Sequence, residues 1–353
     1  MDILPLVERI GENPTAALFG LITGAIFGVA AQRSRFCLRA ATIEFARGRM
    51  GPSMTVWLLT FSTALFWVQG ADLLGMMRVQ EARIMAIPGS WSGAIIGGLV
   101  FGVGMVLARG CSGRLLVLAA TGNLRSMVSG LIFAVVAQMS LHSWLAPLRN
   151  WLAALWTTTG GHNMDLLAEL RLPEWGGFAL GIVLSVYAIY QARRNQMSVM
   201  RLVFASGVGF AVAVGYLLTF ALSEVSFDPV AVTSATFTGP SANTLMFMLD
   251  TDAILKFDVG LVPGVFLGSF AASILAGDFK FQGFENEANM RRSMFGAVLM
   301  GFGGMLAGGC AIGNGVTGAS ILAGTAWLAL FSMWVGATVT DYLVDQRRVA
   351  VPA

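Results

Sequence analysis

Residues 97–111 read GGLVFGVGMVLARGC, and residues 296–310 read GAVLMGFGGMLAGGC. Laid over each other at an offset of 199 without a gap, Gly97/Gly296, Gly102/Gly301, Gly104/Gly303, Leu107/Leu306, Ala108/Ala307, Gly110/Gly309 and Cys111/Cys310 coincide. A glycine-rich apolar composition produces scattered identities, but not the shared ending Leu-Ala-x-Gly-Cys. The chain therefore reads as a duplicated half, the plan of many transporters. A fainter match near the same offset sets Arg35-Phe36-Cys37 against Thr236-Phe237-Thr238, which makes Thr238 the counterpart of Cys37.

Composition points the same way. Of 353 residues, 56% are hydrophobic and 12% charged, about half the charged share of roughly 25% typical of soluble domains. So few charges cannot coat a core of this size in water, whereas a surface facing lipid needs no such coat. That excludes an ordinary soluble enzyme and predicts an all-α polytopic membrane protein. Apolar runs near 17–31, 52–74, 92–108, 124–144, 175–191, 200–222, 257–276, 293–307 and 316–343 predict eight or nine transmembrane helices. The runs ending at Ala31, Ala108 and Ala307 reach only about fifteen residues, short of the ~20 a full span needs, and each is followed by a cysteine. Short re-entrant or broken helices are expected there. The whole of 1–353 reads as one integral membrane domain, with a first half at 17–144, an interfacial linker and connecting helix at 145–199, and a second half at 200–343. Trp144, Trp151, Trp156 and Trp175 suit a membrane-interface belt in that linker.

The net charge is +3, and all but Lys256 and Lys280 of the basic residues are arginines. They are scattered between apolar runs and form no block of the kind nucleic acids require. Arg193, Arg194 and Arg201 make the densest basic linker, so the positive-inside rule assigns it to the cytoplasm, together with Arg347 and Arg348 if the intervening number of spans is even. The N-terminal stretch MDILPLVERIGENPT lacks a basic signal-peptide start, so the first apolar helix is expected to be retained.

Cys37, Cys111 and Cys310 cannot all pair and form no CxxC or Cys-His metal pattern, so no metal or cofactor is expected. A free cysteine is commonly a small buried hydrophobe. Two that sit alike in duplicated glycine-rich breaks ask for more. Broken helices are tolerated in a bilayer only where the freed backbone groups are buried in protein or line a polar cavity. A half-helix starting after each cysteine presents free N–H groups and a positive dipole end, a site for an anion. Thiols are weak donors with polarizable sulfur, whereas sulfate or phosphate is better met by arginine and strong N–H donors. The predicted cargo is therefore a soft, sulfur-bearing anion. Gly110, Gly113, Gly309 and Gly313 would let backbones approach it, while Arg35 and Arg109, beside the cysteines in sequence, either attract the anion or mark helix ends.

QRSRFCLRAA around Cys37, LARGCSGR around Cys111, LAGGCAIGNGVTG around Cys310 and the segment TFTGPSANT together resemble the YeeE/YedE family of bacterial sulfur-transport membrane proteins. The resemblance runs from residue 17 to about 325. It implies a pseudo-symmetric helical protein of the bacterial inner membrane, in which Cys37, Cys111 and Cys310 pass a thiosulfate ion along by transient S–H contacts. It also implies a possible partner, a small cytosolic sulfur-carrier protein of the TusA type. The rival readings are a membrane thiol or persulfide oxidoreductase, disfavoured by 74 residues between the nearest two cysteines, and a passive channel, which would tolerate loss of all three thiols. Import of a dianion against an inside-negative potential costs about 4.6 kcal/mol per 100 mV, and no mid-span carboxylate is evident to couple it to protons.

Overall fold

The computed structural model describes residues 3–250, 253–283 and 286–346, and every regular element among them is helical. Helix α1 (Leu4–Ile10) leads into α2 (Glu12–Ser34), α3 (Leu38–Ala46) and α4 (Pro52–Leu73). The short α5 (Arg83–Ala86) precedes α6 (Trp91–Leu107), α7 (Ser112–Ala120) and α8 (Leu124–His142). A linker with α9 (Ala146–Ala154) and α10 (Leu166–Glu169) reaches α11 (Gly176–Arg194). There follow α12 (Val199–Val225), α13 (Thr238–Leu249), α14 (Phe257–Leu275), α15 (Glu287–Leu306), a helix over 311–320 whose centre, Gly313–Gly318, is π-helical, and α16 (Gly324–Thr340).

Among the described residues, seven stretches are long and apolar enough to cross a bilayer: Glu12–Ala46, Pro52–Leu73, Trp91–Ala120, Leu124–His142, Val199–Val225, Phe257–Leu275 and Gly324–Asp345. Helices α11 and α15 have 19 and 20 residues but carry charge near one end, Arg193 and Arg194 in the last turn of α11 and Glu287, Arg291 and Arg292 in the first two turns of α15. The chain is an all-α polytopic membrane protein. Helix α2 is longer than its apolar run suggests, because the polar turn Glu12–Thr15 is helical too, opened by Pro14 in the first turn, where a missing N–H costs nothing. Helix α15 likewise extends back through Arg291 and Arg292.

Glycine decides how closely the long helices meet. Helix α2 presents Gly20, Gly24 and Gly28 to α14, which answers with Gly260, Gly264 and Gly268, and the two helices run parallel. A Cβ at Gly20, Gly24 or Gly28 would run into the carbonyl oxygens of Phe257, Leu261 and Val265. The backbones are therefore in direct contact, the small-xxx-small packing of helices in lipid, where burying larger apolar side chains gains little. Helices α6 and α15 cross antiparallel by the same device, with Gly97 against Gly303 and Ala307 and Gly104 against Gly296. Ser129 and Ser293 share a 2.9 Å hydrogen bond where α8 meets α15.

Helices α3 and α7 have nine residues each, about 14 Å at the helical rise, half of a hydrocarbon core of about 30 Å. They turn inside the protein. The linker after α8 folds over one end of the bundle. Its backbone bonds residues 85–92 through Trp156, Thr158 and Asn163, and reaches 322–324 through Met164 and Leu166. Trp144, Trp151, Trp156 and Trp175 all face outward. The opposite end gathers the basic residues: Arg201 Nε donates to the Ser34 carbonyl at 3.0 Å and Asn195 donates to the Met50 carbonyl, so the α2, α4, α11 and α12 ends there are neighbours. Arg347 and Arg348 lie outside the described residues.

Candidate functional site

Each cysteine is the last residue before a short helix. Cys37 caps α3, Cys111 caps α7, and Cys310 precedes the 311–320 helix. The approach to each is alike: two residues earlier the backbone turns left-handed, at Arg35 (φ 58°), Arg109 (φ 58°) and Gly308 (φ 76°). That residue ends one helix and lets the next begin at the cysteine, so the free N–H groups of each new helix point at a sulfur or its surroundings.

Cys310 is fully buried, and its Sγ accepts from the Phe237 N–H at 3.3 Å and from the Gly313 N–H at 3.4 Å. The Thr236 hydroxyl stands 3.9 Å away. With its lone pairs facing N–H donors, the thiol's own hydrogen is free to point elsewhere. Cys111 is also fully buried. Backbone N–H groups of Arg114 and Leu38 are directed at it, and both Cys37 and Cys310 lie within its electrostatic reach. Cys37 is half-buried. The starts of α3, α7, α13 and the 311–320 helix thus meet around one row of thiols.

A cavity of about 300 Å³ lies beneath the linker and reaches Thr236 and Gly309 beside Cys310. Its lining includes Arg83, Arg149, Asp258, Asn314 and Thr238. Thr238 is 2% exposed, and its hydroxyl has no hydrogen-bond partner. Asn314 folds back to donate to the Gly309 carbonyl at 2.8 Å. Phe237 packs on Phe27 with ring centres 5.2 Å apart, and both rings are buried. At the far end, beyond Cys37, Asp345 bridges Arg292 at 2.9 Å and Arg39 at 3.5 Å, while Arg47 holds the buried Asp341 with a two-nitrogen grip. Asp341 is thus a buried, ion-paired acid.

The predicted residues divide. Cys37, Cys111, Cys310 and Thr238 come together, with Phe237, one residue earlier than expected, in the capping position that Cys37 holds on α3. Gly113 and Gly313 are closely packed against neighbouring side chains. A Cβ on Gly113 would meet Ile312 at 2.5 Å and the Phe237 ring at 3.1 Å, and one on Gly313 would strike Thr236. Gly309 is tight against Asn314 at 3.3 Å, whereas Gly110 has ordinary room, 3.5 Å to Leu115. Arg35 and Arg109 are exposed, and Arg109 bonds Asn289 at the surface. We expect Arg109→Gly to leave uptake unchanged and thermal stability within about 1 kcal/mol, because glycine relieves a left-handed arginine; a detergent melting curve and an uptake assay check this. The residues the sequence did not single out, Arg83, Arg149, Asp258 and Phe237, come from four separate segments.

A profile of the sulphur-transport family matches residues 33–339. The chain belongs to the sulphur-transport family. Among curated relatives, the "Thiosulfate transporter TsuA" of Escherichia coli (strain K12) is 29% identical, over 94% of this chain and 95% of its own length. The "Thiosulfate transporter TsuA" of Spirochaeta thermophila is 25% identical, over 93% of this chain and 99% of its own length. Membership of the sulphur-transport family makes this a multi-pass transporter and not an enzyme, and the family profile spans all three cysteines.

Proposed function

We propose that the protein imports thiosulfate, or a closely similar small sulfur anion, across the bacterial inner membrane along Cys310, Cys111 and Cys37. The observation that carries this reading is the gathering of three thiols, each at the start of a half-helix, with Cys37 and Cys310 both close enough to act electrostatically on Cys111. The half-helix ends favour negative charge, and the S–H groups make transient hydrogen bonds to the outer sulfur with no covalent step. Thr238, Gly113 and Gly313 shape the passage. The exposed arginines Arg35 and Arg109 act at most at long range.

The basic end beyond Cys37, with Arg33, Arg35, Arg47, Arg49, Arg193, Arg194 and Arg201, is the cytoplasmic side by the positive-inside rule. The cavity end then faces outward, and the ion meets Cys310 first. A small cytosolic carrier of the TusA type is a candidate recipient at the exit. We also read 17–144 and 200–343 as the two related halves, with α3, α6, α7 and α8 answered by α13, α15, 311–320 and α16.

The test is uptake of thiosulfate labelled at its outer sulfur into proteoliposomes, wild type beside Cys111→Ala, with sulfate as competitor. Uptake by wild type, lost in the variant and indifferent to sulfate, is expected. Wild-type uptake that survives in Cys111→Ala would overturn the thiol pathway and favour a passive channel. A trapped persulfide or disulfide during turnover would instead favour covalent chemistry.

A further inference from the structure

We propose that the cavity above Cys310 binds its anion together with one proton, and that Asp258 is the group that takes the proton. The proposal rests on the reading of thiosulfate as cargo. Among the described residues, three charged side chains line the cavity: Arg83, Arg149 and Asp258. Arg83, from the short α5, donates its backbone N–H to the Val232 carbonyl, but its guanidinium makes no hydrogen bond or ion pair among the described residues. The guanidinium of Arg149, on α9, bonds only the neutral Asn150 side chain among the described residues. Asp258 stands in the first turn of α14, where its Oδ2 accepts from Asn243 Nδ2 at 2.8 Å.

Among the described residues, no cation reaches Asp258 at ion-pair distance; Arg83 and Lys256 act on it from further away. Among the described residues, the neighbouring helices α13 and α2 add no charge there. Helix α13 contributes Asn243 and Thr244, and α2 meets this end of α14 with Ala17, Gly20 and Leu21. With Asp258 ionised the lining sums to one positive charge, and with Asp258 protonated it sums to two. Only the protonated form neutralises a dianion. An entering dianion therefore raises the proton affinity of Asp258, and by linkage the proton raises the affinity for the dianion. The proton comes from the solution filling the cavity and returns to it when the site empties. The unpartnered Thr238 hydroxyl in the same cavity is a further donor for the bound ion.

The experiment is calorimetric titration of thiosulfate into the full-length purified protein, in pairs of buffers with different ionisation heats, from pH 5.5 to 8.5. Thiosulfate, the anion of a strong acid, carries no proton of its own in this range. Expected for wild type is uptake of up to one proton per ion, with affinity falling towards tenfold per pH unit once Asp258 is ionised in the empty site. Asp258→Asn should bind without proton uptake and with affinity independent of pH. Wild-type binding with no proton taken up, or the same uptake in Asp258→Asn, would overturn the proposal and leave the transport reading standing. Failure of wild type to bind thiosulfate at all would overturn both.

Discussion

Cys310→Ala should reduce thiosulfate uptake about a hundredfold or more, and Cys310→Ser should not restore it. The alanine removes the acceptor of two N–H groups, from Phe237 and Gly313, in a site with no exposure. Leaving buried donors unmet costs about 1–3 kcal/mol each, so a lower melting temperature is expected with the lost transport. Serine keeps an oxygen acceptor in nearly the same place and should recover most of that stability. What it does not keep is the soft sulfur, and a hundredfold effect corresponds to about 2.7 kcal/mol removed from the limiting barrier. Melting curves and initial uptake rates, measured on the same preparations, separate the two roles. Uptake by Cys310→Ser near the wild-type rate would show that any hydroxyl-sized donor suffices there.

The second large effect is structural. Gly264→Leu should remove the folded protein, with a loss of about 3 kcal/mol or more, because the new side chain is driven into the backbone of Leu21 and no rotamer avoids it. Size-exclusion chromatography of the detergent-extracted protein reads this directly as loss of the monodisperse peak. Gly130→Ala is the control: it lies within α8, with nothing within 4 Å of the added Cβ, and alanine should stabilise the helix by about 0.5–1 kcal/mol. An unchanged peak for Gly264→Leu would mean that α2 and α14 can separate without loss of fold.

The breaks at Cys111 and Cys310 were readable from the glycines beside them and from their duplication, and the break at Cys37 from the short apolar run before it, although the left-handed turns before Cys37 and Cys111 fall on arginines, which carry no such mark. Arg109 shows the limit of that reading. It is two residues from Cys111, but the left-handed turn at Arg109 itself sends its side chain to the surface beside Asn289. Neighbours in sequence are then not neighbours in space. Arg83, Arg149 and Asp258 were illegible for the opposite reason: they lie far apart in the chain and meet only because the linker folds over the end of the bundle. Phe237 contributes through its backbone N–H to Cys310, and a backbone donor has no signature in side-chain identity. The number of spans was less legible still, since α11 and α15 mix apolar length with charged turns.

The glycine seam between α2 and α14 has one more consequence. Association that expels water from apolar surface carries a large heat-capacity change and weakens in the cold. Helices that meet within lipid expel acyl chains, not water, and here the contact is backbone against backbone. Dispersion and carbonyl contacts of that kind vary little with temperature, so the grip of α2 on α14 should be nearly the same at 5 °C as at 40 °C, while the water-facing linker over the cavity loosens at either extreme.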